Sequence, residues 1–187
     1  MAKDIFDNND YEILGENIQN SYLLDRNLNI IDLHPNWDLF VYENSGDKKI
    51  LKSSILGRNI FEFIKGDSVR MWFESLITLV KFSNRSITRN YSCDSPDVKR
   101  FMKMRITPQE GGQIKFDHYI ISLTKIPIKA KMHFYNNAEN IITRCSVCNR
   151  FLYHEKWQEI ELVANLIDLS RVSIVDIVCG DCIKINY

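Results

Sequence analysis

The alternation of apolar and basic residues is sharpest in Lys99-Arg100-Phe101-Met102-Lys103-Met104-Arg105-Ile106-Thr107. Met102, Met104 and Ile106 fall on one side of an extended chain, and the basic residues between them fall on the other. A period of two is typical of a strand that packs against a core on one face and meets solvent on the other. The sequence therefore predicts a strand of an antiparallel sheet over residues 99–107.

The segments on either side predict two more strands and a helix. The strands are Ser86–Cys93 and Gln113–Thr124, and Gly111-Gly112 makes the turn into the second of them. The helix runs from Ser68 to about Lys81, with Asp67 as its cap. Its apolar residues recur at spacings of three and four and predict one buried face: Val69, Trp72, Phe73, Leu76 and Val80.

Before this helix, the sequence predicts two short strands and a cluster of short helical elements. The strands, Ser21–Leu24 and Asn29–Leu33, flank a turn rich in Asp and Asn. A helix follows at Pro35–Tyr42, and a short apolar turn at Asn59–Ile64. Together, these elements predict an α+β fold with a five-stranded antiparallel sheet and a helical cluster on one side.

The chain of 187 residues divides by composition into four parts. Residues 1–20 predict a polar lead-in or a short helix, and residues 21–126 form the sheet domain. Residues 127–140 are expected to be a linker, and residues 141–187 a small cysteine-rich module. A module of this size is too small to build a large apolar core of its own.

Three segments of the sheet domain, in this order, resemble a PAS domain. They are Tyr22–Asn27 at the opening hairpin, His34–Phe40, and Gly57–Ile64 before the long helix. The resemblance implies a sensor domain that binds a ligand or a partner, and it makes a homodimer plausible. No Cys lies between residues 1 and 92, and no His between residues 35 and 117. Covalent flavin and His-ligated haem are therefore disfavoured, and the identity of any PAS ligand stays open.

A ligand pocket in such a domain would be lined by large apolar side chains on the inward faces of the sheet and helices. The same side chains could instead fill a closely packed core. The candidates are Trp37, Phe40, Phe61, Trp72, Tyr91, Met102, Met104 and Phe116.

Four of the five cysteines form two CxxC pairs, Cys145/Cys148 and Cys179/Cys182, with 30 residues between the pairs. Two such knuckles point four thiolates at one ion, and Zn²⁺ favours four tetrahedral N or S ligands. A closed set of four cysteines is typical of a structural site, since catalytic zinc keeps one position open for water. Redox-active dithiols, an iron–sulfur cluster and unligated thiols remain as alternatives.

The spacing between the two CxxC pairs exceeds that of simple zinc ribbons, so further elements must lie between the knuckles. A hairpin at 151–157 and a helical pattern at 158–167 are candidates.

The cysteine module is similar to a bacterial C-terminal module that often follows PAS or receiver domains in signalling proteins. The matching segments are Arg144–Arg150, Trp157–Ile160 and Ile177–Lys184. Asp176 lies near the place of a His that is usual in that module, and Gly180 replaces a common Pro. The resemblance implies a zinc-knuckle or treble-clef-like fold and a signalling protein as partner.

The charge balance and the missing motifs exclude several function classes. The 24 Lys and Arg balance 24 Asp and Glu, and zero net charge argues against nucleic acid as the main partner. Residues 81–131 nevertheless hold 11 basic and 4 acidic residues, a net of +7. There is no apolar run of membrane-spanning length and no signal peptide, so a cytoplasmic protein is expected. No nucleotide-binding or hydrolase motif occurs, and we expect no enzyme activity.

The sequence thus predicts a cytoplasmic signal-transduction sensor or adaptor with a PAS-like domain, a structural zinc module and no output domain of its own. A thiol redox sensor, in which the two CxxC pairs release metal and oxidise, is one alternative. A nucleic-acid-binding zinc protein that uses the basic block is another.

Overall fold

A computed structural model of the chain describes residues 12–13, 17–44, 47–94, 98–125, 140–164, 166 and 172–184. Its larger sheet, as far as these residues go, has six strands, β1 (Glu12–Ile13), β2 (Ile18–Leu24), β3 (Ile30–Leu33), β4 (Ile87–Ser92), β5 (Val98–Pro108) and β6 (Ile114–Lys125). Five of them form an antiparallel sheet in the order β3-β2-β6-β5-β4, and the two-residue β1 pairs with the end of β6. The predicted α+β class and five-stranded antiparallel sheet are confirmed.

The helices α1 (Trp37–Asn44), α2 (Lys52–Ile55) and α3 (Asp67–Ser83) lie between β3 and β4 in the chain. The inward side chains of the sheet and those of α2 and α3 form one continuous core. The ring of Phe73 on α3 stacks on Phe116 of β6 with 5.1 Å between centroids. Because β2, β3, β5 and β6 all supply buried apolar residues to this core, the helical cluster covers one face of the sheet.

The cap of α3 differs from the sequence prediction. Gly66 is the N-cap, with a positive φ of 83°, and Asp67 lies inside the first turn. Glycine adopts this φ without a side-chain penalty, so the chain can bend sharply into the helix there. Asp67 still places a negative charge near the positive end of the helix dipole.

A second, four-stranded sheet contains β7 (Asn140–Cys145), β8 (Phe151–Tyr153), β9 (Lys156–Gln158) and β10 (Val172–Ile177) in the order β10-β7-β8-β9. The described part of this C-terminal module also holds two short helices, α4 (Ile160–Ala164) and α5 (Gly180–Ile183). The predicted hairpin is present as β8 and β9. Within the predicted helical segment 158–167, α4 covers residues 160–164 and Gln158 belongs to β9, while residues 165 and 167 lie outside the described residues.

The predicted linker, residues 127–140, lies outside the described residues except for Asn140, which begins β7. Of the predicted lead-in, residues 12–13 and 17–20 are described, and they hold β1 and the start of β2. In the described part of the chain, no helix is both long enough and apolar enough to cross a membrane.

Candidate metal centre

The four cysteines of the two CxxC pairs meet at one point. Their Sγ atoms all lie within 4.8 Å of one another, and the Sγ atoms of Cys148 and Cys179 are 3.9 Å apart. A zinc ion with four sulfur ligands at about 2.3 Å would space the sulfurs by about 3.8 Å. The donor set and its spacing therefore fit a tetrahedral metal ion such as zinc, and Cys145, Cys148, Cys179 and Cys182 would hold it.

The parallel pairing of β7 with β10 brings the two knuckles together. In this pair, Ile177 at the end of β10 lies opposite Cys145 at the end of β7. The chain leaves both strands at the same edge, so the first knuckle turns beside the start of the second. The backbone N–H of Ser146 donates to the Ile177 carbonyl at 2.9 Å and fixes this arrangement.

Backbone hydrogen bonds also shape each knuckle. In the first, the Cys145 N–H donates to the Arg150 carbonyl at 2.8 Å, and the Asn149 N–H donates to the Cys145 carbonyl at 2.8 Å. In the second, the Cys182 N–H donates to the Cys179 carbonyl at 3.0 Å. The Cys179 N–H also donates to the Sγ atom of Cys145 at 3.4 Å. Such bonds to sulfur favour the thiolate form that a metal requires.

Arg150 brings positive charge to the sulfur cluster. Its Nε atom donates to the Sγ atom of Cys148 at 3.3 Å, and its terminal nitrogen lies 4.0 Å from the Sγ atom of Cys179. The same nitrogen contacts a carboxylate oxygen of Asp181 at 3.2 Å. Partial burial lowers the pKa of the guanidinium, but the hydrogen bond and the charge of Cys148 outweigh burial and raise its pKa overall. Arg150 therefore balances part of the negative charge of a four-cysteine centre.

The pKa values of the hydrogen-bonded pair Cys145 and Cys182 are shifted in opposite directions. Hydrogen bonds from Cys148 and Cys182 lower the pKa of Cys145, against the effect of its burial. The pKa of Cys182 is raised, first because of its hydrogen bonds to Cys145 and Cys148 and then because of burial.

Asp176 on β10 forms an ion pair with the neighbouring strand. Arg144 on β7 donates from Nε at 2.8 Å and from a terminal nitrogen at 3.1 Å to the two carboxylate oxygens of Asp176. The two residues lie opposite each other across the β7–β10 pair. This bidentate ion pair links β7 and β10, the strands that lead into the two knuckles.

The cysteine cluster lies at the seam where the C-terminal module meets the larger sheet. The Ser92 N–H at the end of β4 donates to the Val147 carbonyl at 2.7 Å. From α3, the indole N–H of Trp72 donates to the Cys182 carbonyl at 3.2 Å, and Ser68 Oγ accepts from the Val178 N–H at 2.8 Å. Both knuckles are thus hydrogen-bonded to the sheet domain.

A charged contact crosses the same seam. Lys99 of β5 donates to a carboxylate oxygen of Glu159, and its Nζ atom lies 3.5 Å from an oxygen of Glu161. The Lys99 side chain is 10% exposed, against 35% for Glu159 and 28% for Glu161. Desolvation lowers the pKa of Lys99, but its bond to Glu159 and the two negative charges raise it overall. Nothing in the spacing of the sequence signals this contact, because its partners lie about sixty residues apart.

The eight candidate pocket residues have different environments. Met104 and Phe116 belong to the buried core, and Trp37, Phe61, Trp72 and Tyr91 pack against it while partly buried. Phe40 lines a groove beside Ile18 and His34. Tyr91 and the buried Met102 line a cleft at the seam. The structure therefore does not gather these eight side chains around one cavity.

Tyr91 and His118 form a polar pair inside the sheet domain that no sequence pattern indicates. The hydroxyl of Tyr91 lies 2.9 Å from Nδ1 of His118, and the ring of Tyr22 is 5.4 Å from the His118 ring. Burial lowers the pKa of His118 to about 4, and the negative charge of Asp117 only partly opposes this. His118 is therefore neutral at physiological pH.

Comparison with models of protein families finds no match to this chain, and comparison with curated protein sequences finds none either.

Proposed function

We propose that this chain is a signal-transduction sensor or adaptor. In it, a PAS-like ligand- or partner-binding domain carries a structural four-cysteine zinc module of the zinc-knuckle or treble-clef-like kind. The observation that carries the proposal is the position of the four cysteines, at the seam where both knuckles hydrogen-bond to the sheet domain.

Several features support this reading. The five-stranded antiparallel sheet with helices on one face agrees with the architecture that the PAS resemblance implies. Four sulfur ligands leave no open coordination position, which is typical of a structural metal. A bound ion would supply cross-linking and charge, and the protein would supply the docking of the module onto α3 and β4.

Through this docking, the sheet domain and the module can influence each other. Trp72 belongs to the helix that packs on the sheet, and its indole contacts the second knuckle. Ser92 belongs to an edge strand of the sheet and contacts the first knuckle. A ligand or partner that shifts α3 or β4 would therefore change the position of the module. We expect the binding partner of two domains coupled in this way to be another signalling protein.

Elemental analysis of the untagged, reductively purified protein tests the proposed centre, with Cys145→Ser as the variant and Cys93→Ser as the matched control. Cys93 is exposed and lies outside the cluster. We expect about one zinc per chain in the wild type and in Cys93→Ser, and loss of zinc in Cys145→Ser. Absence of metal with four freely titrating thiols would refute the structural zinc site.

The redox-sensor alternative gains support from one specific observation. Cys148 and Cys182 are only partly buried, whereas Cys145 and Cys179 are fully buried. An exposed zinc thiolate is open to oxidation. The nucleic-acid alternative gains no comparable support, since Lys99 of the basic block is engaged by two glutamates.

A further inference from the structure

A cleft of about 180 Å³ opens at the seam between the sheet domain and the cysteine module. Its walls are mainly apolar and include Tyr91, Phe101, Met102 and Ile121 of the larger sheet. From the module, Cys148 and Cys182 line the same space. The cleft therefore gives small molecules a path to the sulfur cluster.

The cleft reaches one cysteine of each knuckle and not the other. Cys145 and Cys179 have exposed fractions of 0% and 1%, and neither lines the cleft. Cys148 and Cys182 are partly exposed and do line it. Each knuckle therefore has one cysteine that lines the cleft and one that is buried behind it.

We infer that this cleft is the access site for small hydroperoxides, and that Cys148 and Cys182 are the residues first modified. The inference rests on the proposed zinc centre, whose thiolates are the nucleophiles. A cavity of about 150 Å³ already admits a benzene-sized molecule. The cleft of about 180 Å³ therefore has room for hydrogen peroxide and other small hydroperoxides.

The chemistry balances with the peroxide as the only added reactant. The thiolate sulfur of Cys148 or Cys182 attacks one peroxide oxygen, the O–O bond breaks, and hydroxide leaves, so that a sulfenic acid forms. A second cluster thiolate then attacks the sulfenic sulfur, forms an S–S bond and expels a second hydroxide. Two thiolates thereby lose two electrons in total and the peroxide gains them. All four sulfurs lie within 4.8 Å of one another, so a second thiolate is close enough to attack the sulfenic sulfur.

Loss of two ligands would release the metal, because a disulfide sulfur is a poor zinc ligand. The oxidised cluster would then lose the cross-link between the knuckles that dock on α3 and β4. Oxidation of the cysteines by a hydroperoxide would in this way change the contacts between the module and the sheet domain.

The experiment uses zinc-loaded protein in the Cys93→Ser background, substoichiometric hydrogen peroxide and a reagent that traps sulfenic acids. Peptide mass spectrometry locates the trapped adduct, and a chromogenic indicator follows zinc release. We expect the adduct on Cys148 and Cys182 in several-fold excess over Cys145 and Cys179. Equal modification of all four cysteines would overturn the inference.

A cleft-filling variant, Ile121→Trp, tests the access path, and Ile121→Val is its matched control. We expect Ile121→Trp to slow zinc release by peroxide several-fold and Ile121→Val to leave the rate unchanged or faster. Each variant is first shown to hold one zinc per chain; if Ile121→Trp does not, the distribution of adducts in the parent protein decides alone.

Unchanged release from a zinc-loaded Ile121→Trp protein would contradict the access path while leaving the zinc centre intact. A parent protein without zinc would instead refute the proposed centre and this inference together.

Discussion

At the residue scale, Arg150 is the side chain outside the four cysteines that most directly contacts the sulfur cluster. Its guanidinium touches two sulfurs and Asp181, so it both orients the ligands and balances their charge. Groups in this position typically change metal affinity by about 10–100-fold when they are removed.

We therefore expect Arg150→Met to weaken zinc binding by about 10–100-fold, measured by competition with a chromogenic chelator. Arg150→Lys should lose part of this affinity, because one ammonium cannot reproduce the forked contacts. Arg58→Met is the control, since Arg58 pairs with Glu62 in the sheet domain and not with sulfur. An Arg150→Met protein with wild-type affinity would show that the guanidinium does not stabilise the thiolates.

His118 makes stability depend on pH in a defined direction. Its folded-state pKa of about 4 lies below the value of 6.5 expected of an exposed His. Between these values the unfolded chain binds more protons than the folded one, so stability falls as the pH is lowered from about 6.5 to 4. At pH 5 the loss relative to pH 7.5 should be about 1–2 kcal/mol.

Denaturant unfolding of the zinc-saturated protein at pH 7.5 and pH 5 measures this loss. His118→Asn keeps a polar atom near Tyr91 but does not titrate, so it should lose about 1–2 kcal/mol less than the wild type over this range. Comparing the two proteins cancels the acid sensitivity of the cysteines. The same pH dependence in both would assign the effect to other groups.

At the scale of elements, the contact of Lys99 on β5 with Glu159 and Glu161 fastens the module to the sheet. The three charges are buried to different extents, with lysine the most enclosed. Removing the partners of a buried charge costs more than removing the charge itself.

We therefore expect Glu159→Gln/Glu161→Gln to lower the free energy of unfolding by about 2–3 kcal/mol. Lys99→Met should change it by less than about 1 kcal/mol, because the two glutamates are partly solvated and methionine fills a similar volume. Chemical denaturation of the wild type, the double variant and Lys99→Met measures these differences in the free energy of unfolding. A larger loss in Lys99→Met than in the double variant would contradict this reading of the contact.

The sequence predicted the elements whose patterns lie within a few neighbouring residues, and it did not predict the contacts between residues far apart in the chain. The alternation in 99–107 and the spacing of apolar residues in α3 are local, and both elements form close to where they are predicted. The cysteine spacing predicts a cluster because the chemistry of four thiolates is specific. The parallel β7–β10 pair and the Trp72 and Lys99 contacts depend on tertiary packing, for which the sequence holds no periodic signal.

At the scale of the whole molecule, the two parts have cores of different sizes. Among the residues that the structure describes, the main core of the sheet domain has 13 buried residues and the two clusters of the module have five and four. One of the two smaller clusters contains two of the cysteines. We therefore expect the stability of the module to depend on a bound metal more than that of the sheet domain does.

Chelation of zinc should therefore unfold the module while the sheet domain keeps its strands. In hydrogen-exchange mass spectrometry, amides of β7 and β10 should lose protection, amides of β2 and β6 should largely keep it, and those of β4 near Ser92 should be intermediate. The Cys145→Ser variant without chelator should show the same pattern. Simultaneous loss of protection in β6 would mean that the molecule unfolds as one unit.

The parallel pairing of β7 with β10 also bears on how the chain reaches its folded state. Parallel neighbours cannot be joined by a tight turn, and some 30 residues separate the two knuckles. Closing a loop of that length costs about 3 kcal/mol of chain entropy before any contact compensates for it. An ion that first bound one knuckle and then captured the other would hold that loop closed. We therefore expect the C-terminal module to fold faster when zinc is supplied during synthesis.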